Sequence, residues 1–213
     1  MSTPIAAYKV IDPTTWERQP IYSFFLPYED PFFSITVPVD ITDLAKDCKA
    51  RKQSLFLHYL HGALSAVNDI QAFRLRFGPE GLRDYQCIHA GCTVSRPDRT
   101  FGFGFFPYHA NRADFVAQGA EVLEHTRHAK VLSPLDERPD VAFFSVLPWL
   151  SFTSFKNPHR HMEGDAFPRI VFGKMSEHQG RWQLPVAVEV HHALADGIHV
   201  GDFFDSLQKH WQP

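Results

Sequence analysis

The sequence predicts an α/β or α+β sandwich, one sheet covered by helices. Three observations carry that expectation. Segments rich in β-branched and aromatic residues outnumber helical ones and come in runs. Several alternate with period two, as Leu184, Val186, Val188 and Val190 do. Between some of them lie stretches whose apolar residues recur at helical spacing, able to cover one face of a sheet.

The first 29 residues mix aromatics with Pro13, Pro20 and Pro27 and show no clear period. "FFSITVPVDITD" then reads as a strand. Asp40 or Thr42 is placed to cap a short helix over "ITDLAKDCKARK". In "SLFLHYLHGALSAVN", Leu55, Phe56, Tyr59, Leu60, Ala63, Leu64 and Val67 share one helical face, with Ser54 as N-cap. "FRLRF" and "GLRDYQCIHAGCTVS" read as strand, turn, strand. Pro97 and Asp98 mark the turn into "TFGFGFFPY", where Phe101, Phe103 and Phe105 alternate. "NRADFVAQGAEVLEHTRHAK" reads as a helix, and "DVAFFSVLPWLSFTSF" as a strand broken by Pro148. "KNPHRHMEGDAF" is polar and reads as a loop. "PRIVFGKMSEHQGRWQLPVAVEVHH" reads as a hairpin turning near Gln179–Gly180. Val200, Phe203, Phe204, Leu207 and Trp211 define a closing amphipathic helix.

The 213 residues fit one domain spanning 1–213, and 44% hydrophobic content supports a sizeable core. A net charge of −3 lacks the basic surplus of a nucleic-acid binder. No apolar run reaches the roughly 18 residues of a membrane span. "MSTPIAAYKVIDPTTW" has no basic-then-apolar signal pattern, so a cytoplasmic protein is expected. Cys48, Cys87 and Cys92 suit a reducing compartment, and Cys87 and Cys92 have no second pair with which to hold zinc. The 20 phenylalanines call for a large core, a subunit interface or an aromatic-lined pocket.

The chemistry concentrates in "PVAVEVHHALADGIHVGDFF", which sets two histidines at the end of an apolar strand. Continued alternation puts His192 on the buried valine face and turns His191 the other way. Desolvation disfavours imidazolium, and a neutral ring is what a general base requires. Asp196 and Gly197 follow within reach of a tight turn. The same residues also fit a core histidine followed by a turn. Metal binding by His191, His192 and His199 is disfavoured because adjacent strand residues face apart.

The spacing His191-His192-x-x-x-Asp196-Gly197 resembles the signature of the chloramphenicol acetyltransferase family within the CoA-dependent acyltransferases. "SVLPWLSFTSF", "TTWERQPIYSFF", "VDITDL" and the surroundings of Asn68 and Arg74 are similar to the same family, so the resemblance covers essentially the whole chain. It implies a mostly antiparallel mixed sheet covered by helices in a two-layer sandwich. It implies acetyl-CoA as co-substrate, no metal, and a homotrimer with active sites between subunits. His192 is implied as general base and Ser145 as oxyanion donor, with Asp196 and Arg18 as a structural pair holding the imidazole. Lys174 is implied near the CoA phosphate, Phe56 against its adenine, and Phe25, Phe101 and Val171 in the acceptor pocket.

The expected activity is acetylation of chloramphenicol, conferring antibiotic resistance. Val171 stands where relatives carry a water-binding threonine, and Phe25 and Phe56 stand where they carry tyrosines. Asn157, Pro158, His159 and Arg160 replace an apolar wall, which points toward a more polar or anionic acceptor. Two other readings share these features. A dihydrolipoyl acyltransferase core would carry Arg where this chain has Ala193, and would follow lipoyl domains and linkers that this sequence does not show. A non-catalytic, drug-sequestering trimer would have no use for His192, Ser145, Arg18 and Asp196 together.

Overall fold

The computed structural model describes residues 3–132, 135, 138–159 and 164–212. Its elements run β1 (Tyr8–Ile11), α1 (Gln19–Phe25), β2 (Phe32–Asp40), α2 (Thr42–Arg51), α3 (Leu55–Asp69), α4 (Gln71–Arg74), β3 (Leu75–Gly78) and β4 (Gly81–Tyr85). They continue with β5 (His89–Ser95), β6 (Phe101–Phe106), α5 (Arg112–His128), β7 (Val141–Val146), β8 (Arg169–Phe172), β9 (Ser176–His178), β10 (Arg181–His191) and α6 (Gly197–His210). No helix among the described residues is long and apolar enough to cross a membrane.

The larger sheet has the order β2-β10-β8-β7-β5-β6, with β9 also paired to β10. It is mixed: β5–β7 and β7–β8 are parallel, and the other pairs are antiparallel. A separate sheet, β1-β4-β3, packs over the far end of β10. There Leu75, Leu82, Ala166 and Leu194 form a second small core with Trp16, Tyr22 and Phe77.

Register assigns the two faces of the large sheet. Val37, Val186, Phe172, Val146 and Ile35, Val188, Ile170, Phe144, Cys92 lie in paired rows and join the main core under α2, α3, α5 and α6. α3 is the centre of that layer, buried from Leu57 to Val67. Its start is capped by Ser54 Oγ, which accepts the Leu57 N–H at 3.4 Å. The opposite face carries Ser34, Glu189, Arg169, Phe143 in one row and Thr36, Ala187, Val171, Ser145, Thr93, Phe103 in the next.

Small residues let the helices close on the sheet. On β6, Gly102 and Gly104 face α5, and a Cβ at Gly104 would stand 3.2 Å from Val122. Trp211 lies against Gly62 of α3, and its indole N–H donates to Tyr59 O at 3.1 Å.

The structure differs from the expectations at three places. β1 and α1 occupy the Pro-rich opening, where short length and low periodicity hid them. The long strand expected through Ser95 divides into β4 and β5 around Gln86–Ile88, so its halves serve different sheets. The final strand ends at His191, so His192 opens a turn and is not a strand residue. The hairpin turns at Gln179 and Gly180, whose φ angles of 50° and 77° are the paired positive values of a tight two-residue turn.

A methyl at Gly62 would stand 2.5 Å from Trp211 Cδ1. Gly62→Ala is therefore expected to lower stability by about 1–3 kcal/mol, less the small gain in helix propensity. The check is a lower urea midpoint at unchanged m, with altered Trp fluorescence.

Candidate active site

The turn after β10 is built by its own side chains and by the N-terminal segment. His192 donates its backbone N–H to Pro31 O at 2.8 Å, and Leu194 and Ala195 bond back to His191 O at 3.0 Å each. Asp196 is the N-cap of α6 and gives its N–H to His199 Nδ1 at 3.0 Å. Arg18 Nη1 meets Asp196 Oδ2 at 2.5 Å, with both side chains largely shielded from solvent. That hydrogen bond holds the Asp196 carboxyl below the usual carboxylate range, against the opposing effect of burial. The Arg18 guanidinium also lies over Trp16, 5.6 Å from the ring centre. Among the described residues its buried Nε and Nη2 find no hydrogen-bond partner.

The His192 ring is pinned on both sides. Phe25 stacks on it with centroids 3.8 Å apart and planes 6° from parallel. Phe33 leans on it at 4.6 Å. Nδ1 lies 3.3 Å from Asp196 Oδ1, buried and out of line for a hydrogen bond. The side chain is 32% exposed, so the histidine expected to be buried is the less buried of the pair. His191 is 6% exposed and faces Phe32 and Phe77 on the opposite side. Burial, not the strand position alone, separates them: the small sheet closes over His191 and leaves His192 at the edge. That burial pushes the His191 pKa down to about 4.

Ser145 sits elsewhere. Thr93 Oγ1 donates to its Oγ at 3.3 Å, and both line a cavity of about 310 Å³ together with Phe103, Phe143 and Phe167. Ser145, Val171 and Ala187 are in register across β7, β8 and β10. His192 lies five residues beyond Ala187, roughly 16 Å along the chain at strand rise. Within one chain, therefore, His192 and Ser145 do not meet. Asn157 lines the Ser145 cavity, while His159 lines a larger neighbouring one. Arg160 lies outside the described residues. Val171 is buried, and Phe101 is 47% exposed at the edge of β6, touching Phe103 at 5.5 Å. Phe56 packs partly buried against Tyr59 and Phe106, and Lys174 is exposed after β8; neither lines a described cavity.

Several residues of this region had no individual signal in the sequence. Glu189 is 1% exposed; its Oε2 accepts the Asn157 N–H at 3.1 Å and its Oε1 lies 2.9 Å from His159 Nε2. Asp165 pairs with Arg169 at 2.6 Å. Period-two alternation places Glu189 on the same face as Ala187, but only the register shows that Ser145, Arg169 and Phe143 stand on that face. No cluster of three or more His, Cys, Asp or Glu side chains able to hold a metal occurs among the described residues.

Comparison with known proteins decides the lineage. A family model described as "Chloramphenicol acetyltransferase" matches residues 6–208. The chain belongs to the chloramphenicol acetyltransferase family. It is thus an acyltransferase. It is 29% identical to a chloramphenicol acetyltransferase of Streptomyces acrimycini, over 98% of this chain and 96% of that protein. It is 26% identical to one of Escherichia coli, over 100% and 99%. A solved chloramphenicol acetyltransferase superposes with a TM-score of 0.89 at 27% identity, covering 97% of this chain and 100% of that one. The dihydrolipoamide acetyltransferase of Azotobacter vinelandii, 18% identical with a TM-score of 0.67 over 98% and 91%, shares the fold.

Between pH 6.5 and about 4 the unfolded chain protonates His191 while the folded chain does not. The unfolded state then binds more protons, so stability falls as pH drops through that window. His61, also held near 4 by burial, adds a loss in the same direction. Wild type is expected to lose about 3 kcal/mol more than His191→Asn across the window, measured by urea denaturation at each pH. Equal slopes for the two proteins would contradict the assignment.

Proposed function

We propose that this protein transfers the acetyl group of acetyl-CoA to a hydroxyl of chloramphenicol, with no metal. His192 acts as general base and Ser145 as hydrogen-bond donor to the tetrahedral oxyanion. The observation that carries this reading is the fixed ring of His192. Phe25 and Phe33 hold its plane, and the Asp196 carboxylate beside Nδ1 favours the tautomer with hydrogen on that atom. Nε2 then keeps its lone pair for the acceptor hydroxyl. The hydroxyl oxygen attacks the thioester carbonyl, the C–S bond breaks, and the proton taken by His192 passes to the departing CoA thiolate. No acyl-enzyme forms, so Ser145 is not a nucleophile.

The separation of His192 from Ser145 within one chain supports an active site shared between copies, in a homotrimer. In that arrangement one subunit supplies His192 with its Arg18–Asp196 support, and the neighbour supplies Ser145 and the acceptor wall. Phe103 and Phe101, the buried Val171, and Asn157 and His159 belong to that wall. Phe56 is assigned to the adenine of CoA and Lys174, as a point charge, to its phosphate. A cytoplasmic enzyme of this kind confers resistance to the antibiotic.

Thiol release from acetyl-CoA in the presence of chloramphenicol tests the reaction. Ser145→Ala is expected to lose roughly 10²–10³ in kcat. His192→Ala should abolish turnover, and a fully active His192→Ala enzyme would overturn the assignment. Binding of chloramphenicol without any thiol release would instead show a sequestering protein.

A further inference from the structure

Arg76 of β3 lies behind the Ser145 cavity and is 2% exposed. Burying a guanidinium is costly, and an apolar side chain of similar volume would fill the same space without that cost. Four hydrogen bonds to backbone carbonyls hold it. Nε donates to Pro139 O at 2.9 Å, Nη1 to Phe73 O at 3.0 Å and to Leu75 O at 2.7 Å, and Nη2 to Val141 O at 2.6 Å. The donors of a guanidinium lie in its plane, so these bonds fix the plane and turn its flat faces to the packing around it.

Against one of those faces, 5.2 Å from Cζ, lies the ring of Phe167. Phe167 lines the Ser145 cavity and packs edge to face on Phe143, which lines it too, with centroids 5.2 Å apart and planes at 63°. The Phe143 ring in turn reaches Gly91, also in the lining, where an added Cβ would stand 3.2 Å from it. Arg76, Phe167, Phe143 and Gly91 are thus packed in series, from a buried cation to the cavity wall. Phe167 lies in the stretch between Gly164 and β8, outside any strand, and its N–H bond to Asp165 Oδ1 is long at 3.3 Å. Ser145, by contrast, sits in β7, which β5 and β8 hold from both sides. Losing the guanidinium face therefore releases the wall of the cavity more than it moves the Ser145 hydroxyl.

We infer that Arg76 is a positioning residue for the acceptor: its flat cationic face holds the Phe167 ring against Phe143, and so sets how tightly the Ser145 cavity takes the acceptor. The inference rests on the acetyl transfer to chloramphenicol proposed above. Arg76 acts on acceptor affinity through Phe167 and takes no part in the proton transfer or in holding the oxyanion.

Arg76→Lys keeps the charge and donors for the carbonyls but has no flat face for the ring. Thiol release is followed with chloramphenicol and acetyl-CoA varied in turn. The KM for chloramphenicol is expected to rise roughly three- to tenfold, with kcat and the KM for acetyl-CoA each within about twofold of wild type. Phe167→Leu removes the ring, leaves the Arg76 hydrogen bonds in place and should raise the same KM by a similar factor. The double variant should go no further than the larger single change, because both act through one contact. A merely structural Arg76 would lower the melting temperature and the yield of active enzyme without separating the two KM values. Additive effects in the double variant, or a folded Arg76→Lys with an unchanged KM for chloramphenicol, would overturn the inference. Where Arg76→Lys does not fold, 3,5-difluorophenylalanine at position 167 replaces it, keeping the ring's shape while weakening its hold on a cation. A KM for chloramphenicol raised about two- to threefold then supports the inference, and an unchanged one sinks it. Wild type that releases no thiol with chloramphenicol would overturn the proposed reaction itself, an outcome distinct from an active wild type whose variants show no such split.

Discussion

Strand β10 is the element on which the rest of the molecule depends. It is buried from Leu184 to His191, pairs with β2 on one side and with β8 and β9 on the other, and cannot shift by one residue without exchanging its faces. Its even residues from Leu184 to Val190 are aliphatic and lie under the helices, and its odd residues carry Pro185, Ala187 and Glu189 toward the Ser145 side. A one-residue slip would drive Glu189 into the apolar core, where a lone carboxylate is strongly disfavoured. The register is therefore fixed by the same residues that set up the site.

The end of that strand is held from outside. Trp16 and Arg18 precede α1, Phe25 ends it, and together they grip the turn through the ion pair to Asp196 and the stack on His192. The irregular opening segment thus acts as a brace for the imidazole. Among the described residues two buried Arg18 nitrogens have no partner, a cost set against the Asp196 contact and the Trp16 face.

Much of this was legible in the sequence. The valine alternation, the Ser54 cap and the Gln179–Gly180 turn are local signals, and each corresponds to an element of the fold. The histidine pair was legible as chemistry, but its burial was not. Alternation says which way a side chain points and nothing about what covers that face, and the cover of His191 comes from the distant strands β3 and β4. β1 and α1 were hidden because four-residue and seven-residue elements among prolines carry too little period to detect. The Glu189–His159 contact depends on a loop folding back over the sheet, which no spacing in the chain encodes.

Trp211, wedged against Gly62 and bonded to Tyr59, has a consequence for how the protein is made. The central helix emerges from the ribosome early, yet one of its principal neighbours is translated some 150 residues later, as is the partner of β2. Until then α3 has apolar surface with nothing to cover it. The nascent chain must wait for its last turn of helix before the core closes, and during that wait it is a natural client for chaperones.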